Sequence, residues 1–163
     1  MIFETVLTII SILCTIVSGV GAYKSIKYYK KSKQLTTYAH KNVAYSEIKK
    51  VIGSMTEILK QASPHQERGV NREKEVSRLG ISIKTSLDII LEQLSNENCD
   101  AILSILNSNK VRDYIESLIT SPVLPHSADT ATWQRFRDCE TALYNLQNEI
   151  KKKLDESEEK LSV

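Results

Sequence analysis

Residues 5–23 read TVLTIISILCTIVSGVGAY, nineteen positions without a charged side chain, and five lysines follow at Lys24, Lys27, Lys30, Lys31 and Lys33. The only charged side chain before them is Glu4. At about 1.5 Å per residue a helix of this length spans about 28 Å, close to the ~30 Å hydrocarbon core of a bilayer. The stretch therefore predicts a transmembrane helix with a basic collar on its C-terminal side. Because lysine crowds only that flank, the positive-inside bias places the N-terminus outside and the rest of the chain in the cytoplasm of a bacterial cell, with the anchor in the inner membrane.

Two other readings of the stretch are weaker. A cleaved leader calls for a positive n-region, and Met1, Ile2, Phe3 and Glu4 supply no positive side chain. The core helix of a soluble protein seldom continues for about five turns without a charge.

The polar residues of the anchor are not scattered. Thr8, Ser11, Thr15, Ser18, Ala22 and Ser25 follow at steps of three or four, and Glu4 extends the row by one more step. That spacing holds them on one face of a helix. The other faces carry Val6, Leu7, Ile9, Ile10, Ile12, Leu13, Ile16, Val17 and Val20, which suit lipid. Small residues permit close helix approach in lipid, and hydroxyl groups are better bonded across an interface, or wetted, than left against acyl chains. A single anchor has no partner within its own chain, so the row predicts a homo-oligomer. It fits a dry seam between a few helices as well as the lining of a pore in a larger ring.

Residues 1–33 form the anchor and collar, and residues 34–163 form one cytoplasmic domain. The formal net charge is +2; the first 33 residues contribute +4 (five lysines less Glu4), leaving about −2 for the domain. That balance offers no broad basic surface for nucleic acid, and no direct nucleic-acid site is evident. Cys14, Cys99 and Cys139 are odd in number and widely spaced. They give neither a disulfide framework nor a metal-ligand spacing, which agrees with a reducing compartment, and Cys99 and Cys139 read as small buried apolar residues.

The domain reads as helix throughout, and the fold class is all-α: an N-terminal transmembrane helix followed by a four- to five-helix bundle of the up-and-down kind. In the first helix Tyr45, Ile48, Ile52, Met55 and Leu59 make an apolar stripe, and no proline precedes Pro64, so anchor, collar and stripe can form one rod. A break is expected from Ser63 to Gly69. A second helix carries Val76, Leu79, Ile83, Leu87, Ile90 and Leu94, with Gly80 as a weak point. Asn96, with Glu97 behind it, is expected to cap a short third helix containing Ile102, Leu103 and Leu106. After Asn107 to Asn109 a fourth helix carries Val111, Tyr114, Ile115 and Leu118 as far as the Pro122 to Pro125 loop. Asp129 or Thr130 then caps a last helix with Trp133, Phe136, Leu143, Ile150 and Leu154, whose charged end, residues 151–160, is expected to fray. No stretch alternates with the period of a strand.

Catalytic chemistry is not written in the chain. His40, His65 and His126 lie in separate segments, none spaced with a second metal ligand, and neither a phosphate-binding glycine loop nor a nucleophile elbow occurs. No cofactor is expected.

One N-terminal anchor, the lysine collar and a small helical domain together resemble the single-pass membrane accessory proteins of type VI-B CRISPR systems, which accompany an RNA-targeting effector. The resemblance is one of architecture over most of the chain. It implies a homo-oligomeric ring, octameric where known, whose anchors surround a pore that strengthens antiviral defence. It also implies kinship with HEPN ribonuclease domains, whose motif pairs an arginine and a polar residue with a histidine four to six residues on. Here Arg137 and Asp138 begin such a motif, but residues 141–144 and Asn145 supply no histidine; Arg112 and Asp113 fail likewise, His126 being too distant. Without that general acid or base, RNA cleavage is not supported. The leading expectation is an antiphage pore or membrane-perturbing oligomer. A non-conducting scaffold that recruits a cytoplasmic partner is the alternative, and a degenerate membrane-tethered ribonuclease is the third reading.

Overall fold

The computed structural model describes residues 2–61, 71–95, 99–122 and 129–162, with the side chains of Ile2, Glu4, Ile9 and Ser162 outside the description. All regular structure among the described residues is helical: α1 (Ile2–Gln61), α2 (Arg72–Leu94), α3 (Asp100–Leu106), α4 (Asn109–Thr120) and α5 (Thr130–Ser162).

Helix α1 runs 60 residues without interruption, about 90 Å at the usual helical rise. It contains no proline, and its three glycines, Gly19, Gly21 and Gly53, have open space where a side chain would project. The bundle begins to cover this rod at Thr37 and holds it to Gln61; all described side chains from Phe3 to Thr36 are exposed.

Around the covered part of α1 the helices form a ring. Helix α1 packs on α2 and α5, and α4 closes the far side by packing on the same two. Paired residues show that neighbours run antiparallel. Lys41 meets Ser157, while Ile52 and Met55 lie with Leu143 and Tyr144. Ser77 bonds to Ile119 from α2 to α4, and Lys110 faces Asp138 from α4 to α5. The short α3 lies chiefly against α5.

The core gathers one row from each helix. In α1 the fully buried row is Ala44, Ile48, Val51, Met55 and Ile58. Tyr45, Ile52 and Leu59, expected in the stripe, pack half-buried beside it, because α1 is flanked by two helices and shows them a wide apolar face. In α5 the row is Phe136, Cys139, Leu143, Leu146, Ile150 and Leu154. Phe136 organises one end, with Trp133 stacked at 5.7 Å and Tyr114 edge-on at 6.2 Å. Cys99 and Cys139 are both buried, and burial pushes the Cys139 thiol up to about 12, which keeps it protonated and inert.

Three local expectations change. Helix α3 begins at Asp100, and Cys99 occupies its N-cap without a side-chain bond; Asn96 and Glu97 lie outside the described residues. Gly80 is a contact point and no weak point, since a Cβ there would meet Ile119 Cγ1 and Leu118 Cβ at 3.1 Å. The charged end of α5 does not fray: it stays helical to Ser162, with Leu154 and Ser157 buried against the bundle. The cap on α5 is Asp129, whose Oδ1 accepts from the backbone N–H of Ala131 and Thr132. The break between α1 and α2, with Pro64, His65 and Gly69, falls outside the described residues, as do Pro125 and His126.

Candidate functional site

The projecting end of α1 is the feature that the bundle leaves unexplained. It is long and apolar enough to cross a membrane and lies near the N-terminus, and none of its most apolar window is buried in the fold. Exposure of its large apolar side chains runs from 47% at Val6 to 75% at Phe3. Fully burying a Val, Leu or Ile side chain is worth roughly 1.5–3 kcal/mol, so eight that stand about half exposed (Val6, Leu7, Ile10, Ile12, Leu13, Ile16, Val17 and Val20) represent on the order of 10 kcal/mol of unrealised burial. Water is a poor surrounding for such a rod, and the described residues supply no other protein surface for it.

Because α1 is continuous here, Thr8, Ser11, Thr15, Ser18, Ala22 and Ser25 recur on one face; the side chain of Glu4 is outside the description. No other described helix packs on this face. Thr15 donates its hydroxyl to the Ser11 carbonyl at 2.9 Å, one turn back. A hydroxyl bonded in this way tolerates an apolar surrounding, because its proton is already placed.

The structure divides the lysine collar between two faces. Lys24, Lys27 and Lys31 run with Tyr23 and Tyr28 along one shallow groove of the rod. Lys30 and Lys33 turn toward the end of α5, where with Tyr29, Lys41, Ser157 and Lys160 they enclose a cleft of about 360 Å³. Tyr23, Tyr28 and Tyr29, 70–72% exposed, were not singled out from the sequence. Their place between apolar run and collar was the available signal, since amphipathic rings favour the boundary of a membrane with water. Lys41 and Lys160 could not be joined to the collar from sequence, because only the packing of α5 on α1 brings them there.

The arginine-aspartate pairs sit on the opposite side of the ring. Arg137 Nη1 bonds Glu140 Oε2 at 2.7 Å and its guanidinium lies 4.9 Å from the Trp133 ring centre. Asp138 accepts from Gln134 Nε2 at 2.9 Å and faces Lys110 Nζ at 3.5 Å. Asp113 and Asp138 share a cleft of about 240 Å³ with Asn109, Lys110, Tyr114 and Arg135, whereas Arg112 pairs with Glu116 at 3.8 Å. No histidine is among the residues lining that cleft, and His40 lies on α1. Burial raises the Tyr114 phenol well above its ordinary range, and its hydroxyl has no hydrogen-bond partner among the described residues. No group of three or more His, Cys, Asp and Glu that could hold a metal occurs among the described residues. Comparison of the chain with protein-family models, with curated proteins and with solved structures finds no match.

Proposed function

We propose that this chain is a single-pass inner-membrane protein whose anchors assemble, through the Thr8 to Ser25 face, into a homo-oligomeric ring that opens a pore or perturbs the membrane. One observation carries the reading: the apolar first third of α1 projects from the bundle, with a polar row on one face that no other described helix covers. Lipid satisfies the apolar faces and copies of the same helix satisfy the row. The collar sets the orientation, with the bundle in the cytoplasm. The architecture resembles the membrane accessories of RNA-targeting CRISPR systems, and on that resemblance we place the ring in antiphage defence, linked functionally to an RNA-guided effector.

A non-conducting scaffold is the second reading, and Thr15 favours it. Its hydroxyl is satisfied by the Ser11 carbonyl, so this part of the row can be dry. A tethered ribonuclease draws no comparable support, since Arg112 and Arg137 are both engaged by glutamates of their own helices.

The test measures the mass of the detergent-solubilised particle and the conductance of the same preparation in a planar bilayer. A ring of six or more with discrete conductance supports the pore; a dimer without conductance supports the scaffold. A reporter fused after Val163 should be active in the cytoplasm, and periplasmic activity would overturn the topology.

A further inference from the structure

The cleft where α5 ends against α1 joins residues from opposite ends of the domain. Lys30 and Lys33 approach from the collar, Lys160 from the last turn of α5, and Lys41 lines the interior at only 8% exposed, donating to Ser157 Oγ at 2.8 Å. The other lining side chains, Tyr29, Gln34 and Thr37, are uncharged. Among the described residues no carboxylate lines the cleft, although residues 155–159 of α5 include four of them (Asp155, Glu156, Glu158 and Glu159). Lys30, Lys33 and Lys160 form no ion pair or hydrogen bond among the described residues, whereas Lys50, Lys60, Lys110 and Lys153 are each paired with an acid.

Three ammonium groups without an ion pair among the described residues, those of Lys30, Lys33 and Lys160, form a local concentration of positive charge around a cleft of this volume, in a chain whose net charge is only +2; Lys41, already engaged, lines its inner wall. The C-terminal end of α5 opposes an anion here with about half a negative charge, which the lysines outweigh several-fold. Ammonium groups are compact, rotatable donors suited to phosphate oxygens, and the Ser157 hydroxyl and Tyr29 phenol add neutral polar atoms to the walls. Along the helix axis Lys30 lies about 10 Å beyond Tyr23 and Lys41 about 27 Å beyond it. A lipid headgroup thus meets the outer lip, and a soluble anion can occupy the full depth.

We propose that this cleft binds a phosphate-bearing anion of net negative charge, either the headgroup of an acidic phospholipid or a soluble phosphate compound. Bound there, the anion neutralises the junction between rod and bundle and ties the end of α5 to α1. The soluble source is independent of the membrane reading, whereas the lipid source rests on it.

Calorimetric titration of the full chain in non-ionic detergent tests this with three probes: inorganic pyrophosphate, dihexanoyl phosphatidylglycerol and, as the net-neutral control, dihexanoyl phosphatidylcholine. Saturable binding of either of the first two, and not of the third, is expected. Phosphatidylglycerol alone identifies the lipid source, and pyrophosphate binding identifies the soluble one. Lys33→Gln and Lys160→Gln, both at exposed positions, should each weaken binding about five-fold. Lys31→Gln, at the same depth but on the other face, and Lys152→Gln should leave it unchanged. Absence of saturable binding by both anions, or equal loss in all four variants, would overturn the proposal, the latter because it marks diffuse charge and no site.

Discussion

Lys41 and Ser157, 116 residues apart in sequence, share a buried hydrogen bond in which Nζ donates to the serine Oγ at 2.8 Å. The serine spends its own proton on the Lys153 carbonyl one turn back, also at 2.8 Å, which turns its lone pairs toward the ammonium. This polar pair fastens the charged end of α5 to α1 where the rod leaves the bundle, and it explains why a segment of such composition stays ordered.

Ser157→Ala should therefore loosen the end of α5 before it unfolds the domain. Loss of a buried bond to a charged donor costs roughly 1–3 kcal/mol. The expected outcome is a lower urea midpoint together with faster tryptic cleavage after Lys151 to Lys153. An unchanged cleavage rate would show that the apolar contacts of Leu154 alone hold the helix.

Two glycines should respond oppositely to alanine. At Gly80 a methyl group meets Leu118 Cβ and Ile119 Cγ1 at 3.1 Å, and the Leu118 backbone carbon at 3.4 Å. Leu118 is fully buried and the backbone yields little, so overpacking of about 1–3 kcal/mol exceeds the roughly 1 kcal/mol gained in helix propensity. At Gly53 nothing lies within 4 Å, and only the gain remains. Thermal unfolding followed by circular dichroism should place Gly80→Ala below the wild type and Gly53→Ala above it.

Why the sequence revealed some of this and hid the rest follows from range. The long apolar N-terminal helix was legible because apolar character is a property of consecutive residues, and the other helices were legible because each carries its own period. In α1 Ile48 and Met55 were read as core, but Ala44, Val51 and Ile58 were not, since an apolar stripe wide enough for two neighbours does not disclose which row lies deepest. In α5 Cys139 was read as buried and is, but Leu146 was passed over, while the larger Trp133, read into the row, sits at its margin. The lysine cleft was invisible for a different reason: Lys33 and Lys160 become neighbours only through antiparallel packing of the first helix on the last.

Acid should weaken the α1–α2 contact at one carboxylate. Glu47 is 8% exposed, and the Lys50 ammonium, with a smaller contribution from the Ser86 hydroxyl at 2.9 Å, holds it below its usual range. A depressed carboxylate contributes stability that is complete above its unfolded value, about 4.3, and is lost as pH falls from there through the folded value. Urea midpoints should thus drop between pH 5 and pH 3 in the wild type, and Glu47→Gln should flatten part of that drop while lowering stability at pH 7. Parallel pH profiles for the two proteins would remove Glu47 from the account.

The polar row of the anchor is tested by substitutions that separate a lumen from a seam. If Ser11 and Thr15 face water in a ring, leucine at either position narrows and dries the passage, so conductance falls while the particle keeps its mass. If they meet a neighbouring helix in a dry seam, leucine forces the helices apart, and mass is lost along with any conductance. Ile12 and Ile16, each one residue further along, lie about 100° around the helix, on faces suited to lipid. Ile12→Leu and Ile16→Leu should change neither quantity. Both measurements belong on the same variants, because conductance alone cannot distinguish a blocked ring from a dispersed one. Mass preserved with current lost in Ser11→Leu supports a pore, joint loss supports a scaffold, and indifference of both readouts to Ser11→Leu and Thr15→Leu would sink the assignment of this face to assembly.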